Sequence, residues 1–329
     1  MNRIPSNKVS MRIAVIAMLA ALIATAVSAA DDYPAKPGRL ILPSGAGSSS
    51  DIMARIFSQR FSEAWGQPLV VDNRAGAAGI IGAEIAARAA PDGYTLFNYG
   101  IGQSVIPALH KKLPYNHARD FTPISTFAMT PNLLTVTPSL GIATVQEFIS
   151  AAKGNAGQWK YSSNGVGGTP HLTMELFKAA TGIPIVHVPY KNSSQGFGDV
   201  AGGQIQTCFF TLPGVLPFVK SGRMRALAVS SARRAEQLPN VPTVIESGVP
   251  DFDVTVWQGF AVPRGTPQAY VTKIYAAMMK AVAMPELKQR FFENGVAAVS
   301  MTPAEFARFA NGETAKWQKA VTVSGLKPE

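Results

Sequence analysis

The chain has 329 residues, 47% of them hydrophobic, and its 30 basic and 20 acidic residues give a formal net charge of +10 at pH 7. This length allows one large or two medium α/β domains. The basic residues are scattered in short pairs such as Lys111-Lys112, without a stripe interleaved with aromatics, so the composition argues against a nucleic-acid partner. The charge mildly favours an anionic ligand.

Residues 1–30 have the layout of a secretory signal peptide. Three basic residues precede the apolar run 13–27, and small residues at 28–30 precede an acidic pair. An uncleaved membrane anchor is the weaker interpretation, because the apolar run is shorter than the roughly 20 residues that a span needs. We therefore expect export and cleavage after Ala29 or Ala30.

Strand and helix patterns alternate after the signal peptide. Apolar, β-rich runs lie at 39–43, 68–73 and 94–99, with helical patterns between them. The first helical pattern, 51–65, places Ile52, Ile56, Phe57 and Phe61 on one face. This order predicts a βαβ arrangement. An extended segment at 122–138, with three prolines, then predicts a crossing to a second domain.

A second βαβ series follows, and the chain then returns. Its predicted strands are 160–164, 184–190, 205–210 and 224–230, and its named helical segments are 171–181 and 216–221. A proline-rich segment at 238–267 contains a further strand, 253–262, and the remaining predicted helices are 268–283, 285–294 and 303–321. We expect domain 1 to comprise 31–132 and 256–329 and domain 2 to comprise 133–255. Two crossings would form a hinge beside a ligand cleft.

Two loops rich in glycine and hydroxyl side chains open helical patterns, one in each predicted domain. The first is GAGSSSD at 45–51 and the second is SSNGVGGTPH at 162–171. Helix-start N–H groups lack intrahelical partners and carry partial positive charge, so such loops favour anions. The pair predicts a cleft that holds both ends of a dicarboxylate. Ordinary helix capping by Ser and Asp is the alternative that these residues leave open.

Partial versions of two other functional motifs are present. GAGSSS followed by LVVDN imitates a dinucleotide fingerprint, but Ser50 replaces its third glycine. Residues 150–153, 162–164 and 220–222 imitate the elements of a penicillin-recognising enzyme at the wrong spacing. A secreted serine hydrolase that uses the same interdomain cleft is the alternative function, although no GxSxG elbow is present.

Neither the cysteine nor the histidines indicate a metal, and we expect no cofactor. The single cysteine, Cys208, lies in an apolar strand pattern and is interpreted as a buried, inert thiol. The four histidines show no paired ligand spacing. His187 alternates within a strand as a satisfied sheet residue, whereas His171 follows the second loop. His171 either hydrogen-bonds ligand or braces the loop, and both alternatives stay open.

The chain contains, in this order, the stretches SSSDIMAR, GQPLVVDNRAGAAGIIGAE, APDGYTL, HVPYKNS and LPNVPTVIESGVPDF. Through these stretches, and over nearly all of its mature length, the sequence resembles the tripartite tricarboxylate transporter substrate-binding proteins, the Bug or TctC family of periplasmic solute receptors. The resemblance implies an α/β fold of the type II periplasmic binding class, with two domains joined by two crossing strands. It also implies a periplasmic, non-enzymatic, monomeric receptor that presents a small organic carboxylate to the membrane components of such a transporter.

The resemblance further implies ligand contacts through loop amides, hydroxyls and bridging waters, without an arginine clamp. Carried onto this chain, the candidate ligand-binding residues are Ala46, Gly47, Ser48, Ser49, Ser50, Asp51, Gly76, Ala77, Ser162, Ser163, Asn164, Thr169, His171, Tyr190 and Thr211. The chain departs from the family's usual residues at Ser48, Asn192 and Gln206, where glycine, glycine and aspartate are common. These departures bear on the identity of the ligand.

Overall fold

The computed structural model describes residues 33–191, 193–323 and 325–326. The predicted signal peptide at 1–30 therefore lies outside the described residues. Within those ranges, no helix is both long enough and apolar enough to cross a membrane.

The first part of the chain forms the predicted βαβ units. Its elements are β1 (Gly38–Leu42), α1 (Ser49–Trp65), β2 (Leu69–Asn73), α2 (Ile80–Ala87), β3 (Thr95–Gly100) and α3 (Ile101–Leu109). Strand β1 pairs in parallel with both β2 and β3. The carboxyl ends of all three strands consequently lie at the same edge of the sheet.

The predicted outward crossing is one long strand, β4 (Phe121–Val136). Its first part pairs antiparallel with the returning strand β9 (Thr255–Pro263), and its last part pairs with β7 (Thr207–Thr211) and β8 (Arg225–Val229). The continuous path of strands through the sheet is β2-β1-β3-β9-β4-β7-β5-β6. Strands β4 and β9 thus join the two βαβ series, as the sequence predicts.

The second series supplies the remaining central elements. They are α4 (Val145–Gly154), β5 (Lys160–Ser163), α5 (Thr169–Thr181), β6 (Val186–Pro189), α6 (Ser193–Ala201), β7, α7 (Leu212–Lys220) and β8. Helix α7 starts four residues before the predicted 216, with a proline in its first turn. Helix α6 is absent from the prediction.

Three helices and a short strand complete the chain: α8 (Gln268–Ala283), α9 (Pro285–Glu293), β10 (Ala297–Ala298) and α10 (Pro303–Val323). Helix α8 packs on α1, while α10 packs on α3 and also reaches α5. The division into domain 1 and domain 2 at the predicted boundaries stays a prediction.

Side-chain alternation along β9 separates the helices into two layers. Phe260 faces α1 and lies 5.3 Å from the Phe57 ring and 5.5 Å from the Phe61 ring. Trp257 points to the opposite face, where its indole N–H donates to Glu313 of α10 at 3.2 Å. Strand β9 is therefore covered on both faces, which explains its almost continuous burial.

One prediction about the α1 face is wrong. Ile52 was expected on the buried stripe with Ile56, Phe57 and Phe61, but it is 39% exposed while the other three are buried. The stripe that packs on the sheet follows four-residue steps through Met53, which is buried. Ile52 lies about 100° around the helix from Met53 and faces outward.

Two glycine substitutions test this layered packing. A methyl group at Gly259 of β9 would overlap the Ser125 carbonyl oxygen and lie 2.6 Å from Phe306 Cζ, so Gly259→Ala should lower the free energy of unfolding by about 2–3 kcal/mol. A methyl group at Gly312 of α10 meets nothing within 4 Å, so Gly312→Ala should raise it by about 0.5–1 kcal/mol. Urea unfolding measures both values. Equal effects of the two substitutions would contradict this packing.

Candidate functional site

The loops after β1 and β2 are held against each other at the carboxyl edge of the sheet. Asn73, the last residue of β2, donates through Nδ2 to the Ser44 carbonyl at 3.0 Å and to Asp51 Oδ1 at 2.9 Å. A methyl group at Gly79 would lie 3.2 Å from the Pro43 carbonyl oxygen, so this turn also approaches the first loop closely. Strand order alone brings the two loops together.

The carboxylate of Asp51 organises the first loop. It accepts from the Gly47 amide at 2.9 Å and from Arg55 Nε at 3.0 Å, and it is 4% exposed. Burial raises the pKa of Asp51, but hydrogen bonds from Arg55, Asn73 and Gly47 outweigh it, so the pKa lies below its ordinary value. Since these contacts occupy both carboxylate oxygens, Asp51 acts as a positioning residue.

Ser48 caps α1 at this loop. It has extended backbone angles, and its hydroxyl accepts from the Asp51 amide at 3.2 Å. Ser44 Oγ lies 3.2 Å from Ser48 Oγ. Helix capping, the alternative that the sequence left open, therefore explains part of the serine content of this loop. The neighbouring residues 45–47 are exposed.

The turn after β2 carries backbone strain. Four successive residues have positive φ, namely Gly76 (130°), Ala77 (45°), Ala78 (55°) and Gly79 (101°). Such a conformation costs about 1–3 kcal/mol at each non-glycine residue and persists only where the surrounding structure imposes it. Because residues 76–78 are exposed at the same edge as the first loop, the strained turn is a candidate ligand contact.

The second loop is braced by hydroxyl and imidazole groups. Ser163 Oγ accepts from the Gly165 amide at 3.1 Å and lies 2.6 Å from His187 Nε2. His171 Nδ1 accepts from the Gly167 amide at 3.0 Å, so His171 braces the loop, as one of its two alternatives proposed. The interior of this loop is therefore fixed by the protein itself.

The predicted residues of the second loop do not all reach its surface. Ser162 and Ser163 are fully buried, whereas Asn164 is exposed and Thr169 is half-buried at the start of α5. Tyr190 lies beside the loop, where its amide donates to the Ser163 carbonyl at 3.0 Å. Of these residues, the geometry favours Asn164 and Thr169 for direct ligand contact.

Two histidines and a tyrosine stack behind the second loop. The rings of His171 and His187 lie 4.0 Å apart and 16° from parallel, and the Tyr161 ring lies 4.9 Å from His187. Burial lowers the pKa of both histidines, that of His187 to about 4 with the help of neighbouring His171. Both imidazoles are accordingly neutral at neutral pH.

A direct contact joins the first loop to the end of β7. Thr211 Oγ1 donates to Ser49 Oγ at 3.0 Å, and a methyl group at Gly214 would lie 3.7 Å from the same oxygen. On the second loop, a methyl group at Gly167 would lie 2.5 Å from Leu109 Cδ1 at the end of α3. The structure thus brings the two series into contact at the predicted cleft.

The contact between Ser163 and His187 was missed by sequence reasoning and bears on the alternative of a hydrolase. A nucleophilic serine must be accessible and its base must take up a proton near working pH. Here Ser163 is fully buried, and His187 has its pKa lowered to about 4. In the parallel pairing of β5 with β6, His187 lies opposite Tyr161, two residues before Ser163, and the side chains of Ser163 and His187 meet diagonally, a relation that no local motif revealed. The pair is suited to bracing the loop.

No cluster of three or more His, Cys, Asp or Glu suited to a metal occurs in the part of the chain that the structure describes. Cys208 is fully buried in β7, and burial raises the pKa of its thiol to about 12. The thiol is therefore protonated at neutral pH, in agreement with the inert role expected from the sequence.

Comparison with known proteins assigns the chain to a family. The model of the tripartite tricarboxylate transporter family receptor matches residues 53–326. Protein BugT of Bordetella pertussis is 33% identical over 322 residues, which cover 95% of this chain and 98% of BugT. The chain belongs to the tripartite tricarboxylate transporter receptor family. The resemblance seen in the sequence is confirmed.

Solved structures support the same assignment for the receptor. R. palustris Rpa4515 with adipate has a TM-score of 0.84 at 34% identity and covers 91% of this chain and 100% of its own. MatC from Rhodopseudomonas palustris with bound malate has a TM-score of 0.79 at 26% identity and covers 88% and 100%. They confirm the periplasmic binding fold. Members of this family are solute-binding receptors.

The histidine stack predicts an acid-sensitive receptor. The unfolded chain takes up histidine protons near pH 6.5, whereas native His187 does so only at about pH 4. The unfolded state therefore binds more protons between these values, and stability that is fully present above about pH 6.5 is lost progressively as the pH falls towards 4. Melting temperatures across this range should fall less steeply in His187→Gln than in the parent. His110→Gln, outside the stack, should keep the parental slope, and a parental slope in His187→Gln would contradict the assignment.

The Asp51 network predicts a loop that one substitution releases. Asp51→Ala removes the acceptor of the Gly47 amide, so hydrogen exchange at residues 47–50 should accelerate while the free energy of unfolding falls by about 0.5–2 kcal/mol. Asp92→Ala removes a half-buried acceptor of the Tyr94 amide and serves as the matched control, with parental exchange at 47–50. Unchanged exchange in Asp51→Ala would show that the loop is held by other contacts.

Proposed function

We propose that the receptor captures a small dicarboxylate in the cleft between its two βαβ series and delivers it to the membrane components of a tripartite tricarboxylate-type transporter. The observation that carries this proposal is the meeting of two helix starts, where Ser49 of α1 contacts Thr211 at the start of α7. Helix starts favour anions through their free N–H groups and the helix dipole.

The ligands of structural relatives support the carboxylate class. Rpa4515 was solved with adipate and MatC with malate, and both ligands carry two carboxylates. We propose that the two loops of this chain, 45–51 and 162–171, flank opposite sides of the cleft and that each takes one end of such a ligand. We propose the fifteen candidate residues from the sequence as the site, with Asp51, Ser162, Ser163 and His171 acting through the loops.

The energetics favour a ligand held at both ends. One helix start contributes roughly 0.3–1 kcal/mol to a bound carboxylate, or up to about 2 kcal/mol when partly buried. Two helix starts act together with charge-assisted hydrogen bonds from Thr169 and from the strained turn at 76–79. Their combined contribution is consistent with micromolar affinity, a binding free energy on the order of −8 kcal/mol. A monocarboxylate lacks the second carboxylate and therefore loses the interactions at one of the two helix starts.

We further propose that the receptor is a periplasmic monomer and that its division at 31–132 with 256–329 and 133–255 forms the hinge. Strands β4 and β9 are the two connections between the series, and rotation about them would open the contact between Ser49 and Thr211. A hinged monomer suits a carrier that must bind its ligand, diffuse to the membrane transporter and release the ligand there.

Thermal unfolding with a ligand panel tests the dicarboxylate proposal. Saturating adipate or malate, at about one hundred times the dissociation constant, should raise stability by about 2.7 kcal/mol, whereas monocarboxylates of equal length give smaller shifts. Thr169→Val removes a hydroxyl at the start of α5 and should reduce the dicarboxylate shift. Thr272→Val on α8 is the matched control, because its exposed hydroxyl donates to the Gln268 carbonyl of the same helix. Shifts with neutral sugars or amines, and none with dicarboxylates, would overturn the proposal.

A further inference from the structure

The hydroxyl of Thr211 is the donor in the contact that joins the first loop to the end of β7. Thr211 Oγ1 donates to Ser49 Oγ at 3.0 Å, and Ser49 belongs to α1 of the first series. A hydroxyl group carries one proton and therefore donates one strong hydrogen bond at a time. When the proposed hinge opens, this proton loses its acceptor and needs another.

An acceptor without a partner lies on the neighbouring strand. The side chain of Asn132 in β4 is fully buried, and its Oδ1 has no hydrogen-bond donor among the described residues. Leaving a buried acceptor unsatisfied is unfavourable, and native structures usually pair such atoms. Because this oxygen is shielded from solvent, the donor that suits it is a side chain packed beside it.

Helix α5 fixes the orientation of the Asn132 amide. Thr173 Oγ1 donates its one proton to the Thr169 carbonyl at 2.7 Å, so it acts as acceptor for Asn132 Nδ2, which lies 2.9 Å away. The network therefore assigns the NH2 group to the side of α5 and excludes the flipped amide. Oδ1 is the atom of this amide that is left without a partner.

Strand pairing places Thr211 directly beside Asn132. The two residues lie opposite each other in the antiparallel pairing of β4 with β7. The backbone of Asn132 bonds on its other side to Ser230, through its amide to Ser230 Oγ at 2.9 Å and through its carbonyl to the Ser230 amide at 2.8 Å. Asn132 and Thr211 are thus a non-hydrogen-bonded pair, in which the side chains share one face and the Cα atoms are about 4.5 Å apart. A change of the Thr211 rotamer consequently brings its hydroxyl within reach of Oδ1.

We propose that Asn132 is a positioning residue that acts on ligand capture through Thr211. The Thr211 hydroxyl donates to Ser49 when the two series meet and turns to Asn132 Oδ1 when they separate. Separation replaces one acceptor by another that was unsatisfied, so this switch favours the open arrangement until a ligand holds the series together. The inference rests on the hinge of the proposed function and names the group that sets its resting position.

Pulsed electron paramagnetic resonance on the ligand-free mature chain tests the switch directly. Spin labels at the exposed positions of Lys153→Cys in α4 and Ala276→Cys in α8 report the distance between the two series, and Cys208 escapes labelling because it is fully buried. The open and closed arrangements should give two distance populations. Asn132→Leu removes the acceptor of the open arrangement, so the closed-to-open ratio should rise about two- to tenfold, the effect of one hydrogen bond on an equilibrium constant.

Two further variants and a control complete the experiment. Ser49→Ala removes the acceptor of the closed arrangement and should shift the ratio in the opposite direction. In a Thr211→Val background neither Asn132→Leu nor Ser49→Ala should change the ratio, because their shared donor is missing. Thr130→Val is the matched control and should keep the parental ratio, since the hydroxyl is also buried on β4 but donates to the Gly295 carbonyl at 2.8 Å. Melting temperatures verify that each variant is folded.

A crystal structure of Ser49→Ala gives a second measurement that needs no substitution of Asn132. With its first acceptor removed, Thr211 Oγ1 should lie about 2.5–3.0 Å from Asn132 Oδ1. A Thr211 side chain that keeps its parental rotamer, with Oδ1 bonded to an ordered water, would overturn the inference.

Calorimetry with adipate and malate separates this inference from the proposed function. If either ligand binds, Asn132→Leu should bind it more tightly by about the factor found for the closed-to-open ratio, because a larger fraction of the receptor is competent. Loss of a merely structural residue would weaken binding or leave it unchanged. If neither ligand binds while the ratio shifts as expected, the dicarboxylate proposal fails and the switch stands. An unchanged distance distribution in folded Asn132→Leu overturns the switch, whichever ligand binds.

Discussion

The buried carboxylate of Asp51 is the interaction on which the first half of the cleft depends. Removing a carboxylate from water is costly, and here hydrogen bonds from Gly47, Arg55 and Asn73 offset that cost. Because these donors come from the loop, from α1 and from the end of β2, one ionised group fixes three chain segments together. The loop amides are then oriented before any ligand arrives, which lowers the entropy lost on binding.

In the second half of the cleft, neutral groups hold the loop in place. His171 and His187 hold the Gly167 amide and the Ser163 hydroxyl without a buried charge. Acid therefore affects the two halves differently: the pKa of Asp51 is lowered, so that loop keeps its ionised centre, whereas the imidazole stack titrates. For the proposed ligand held at both ends, acid therefore weakens the contacts of the second loop before those of the first.

Local signals in the sequence predicted most of the fold and both loops, because periodicity, prolines and helix caps act over a few residues. Helix α6 escaped prediction since its glycines lower helix propensity, and the need for Gly196 appears only in packing, where a methyl group would lie 3.2 Å from Ser162 Cβ. The pairing of Ser163 with His187 and the position of Gln258 under Met53 arise from strand register and helix placement. Such relations join residues far apart in the chain, and short motifs do not carry them.

Under the proposed hinge, the contact between Ser49 and Thr211 also constrains how the cleft closes. Thr211 precedes α7, yet its hydroxyl donates to Ser49 and does not cap its own helix. The starts of α1 and α7 thus meet with partial positive charge of the same sign, and this approach costs free energy that an anion between them would recover. Under the proposed hinge, closure and anion binding are linked: whatever stabilises the closed arrangement of β4 and β9 raises affinity for the anion, and the anion favours closure by the same free energy.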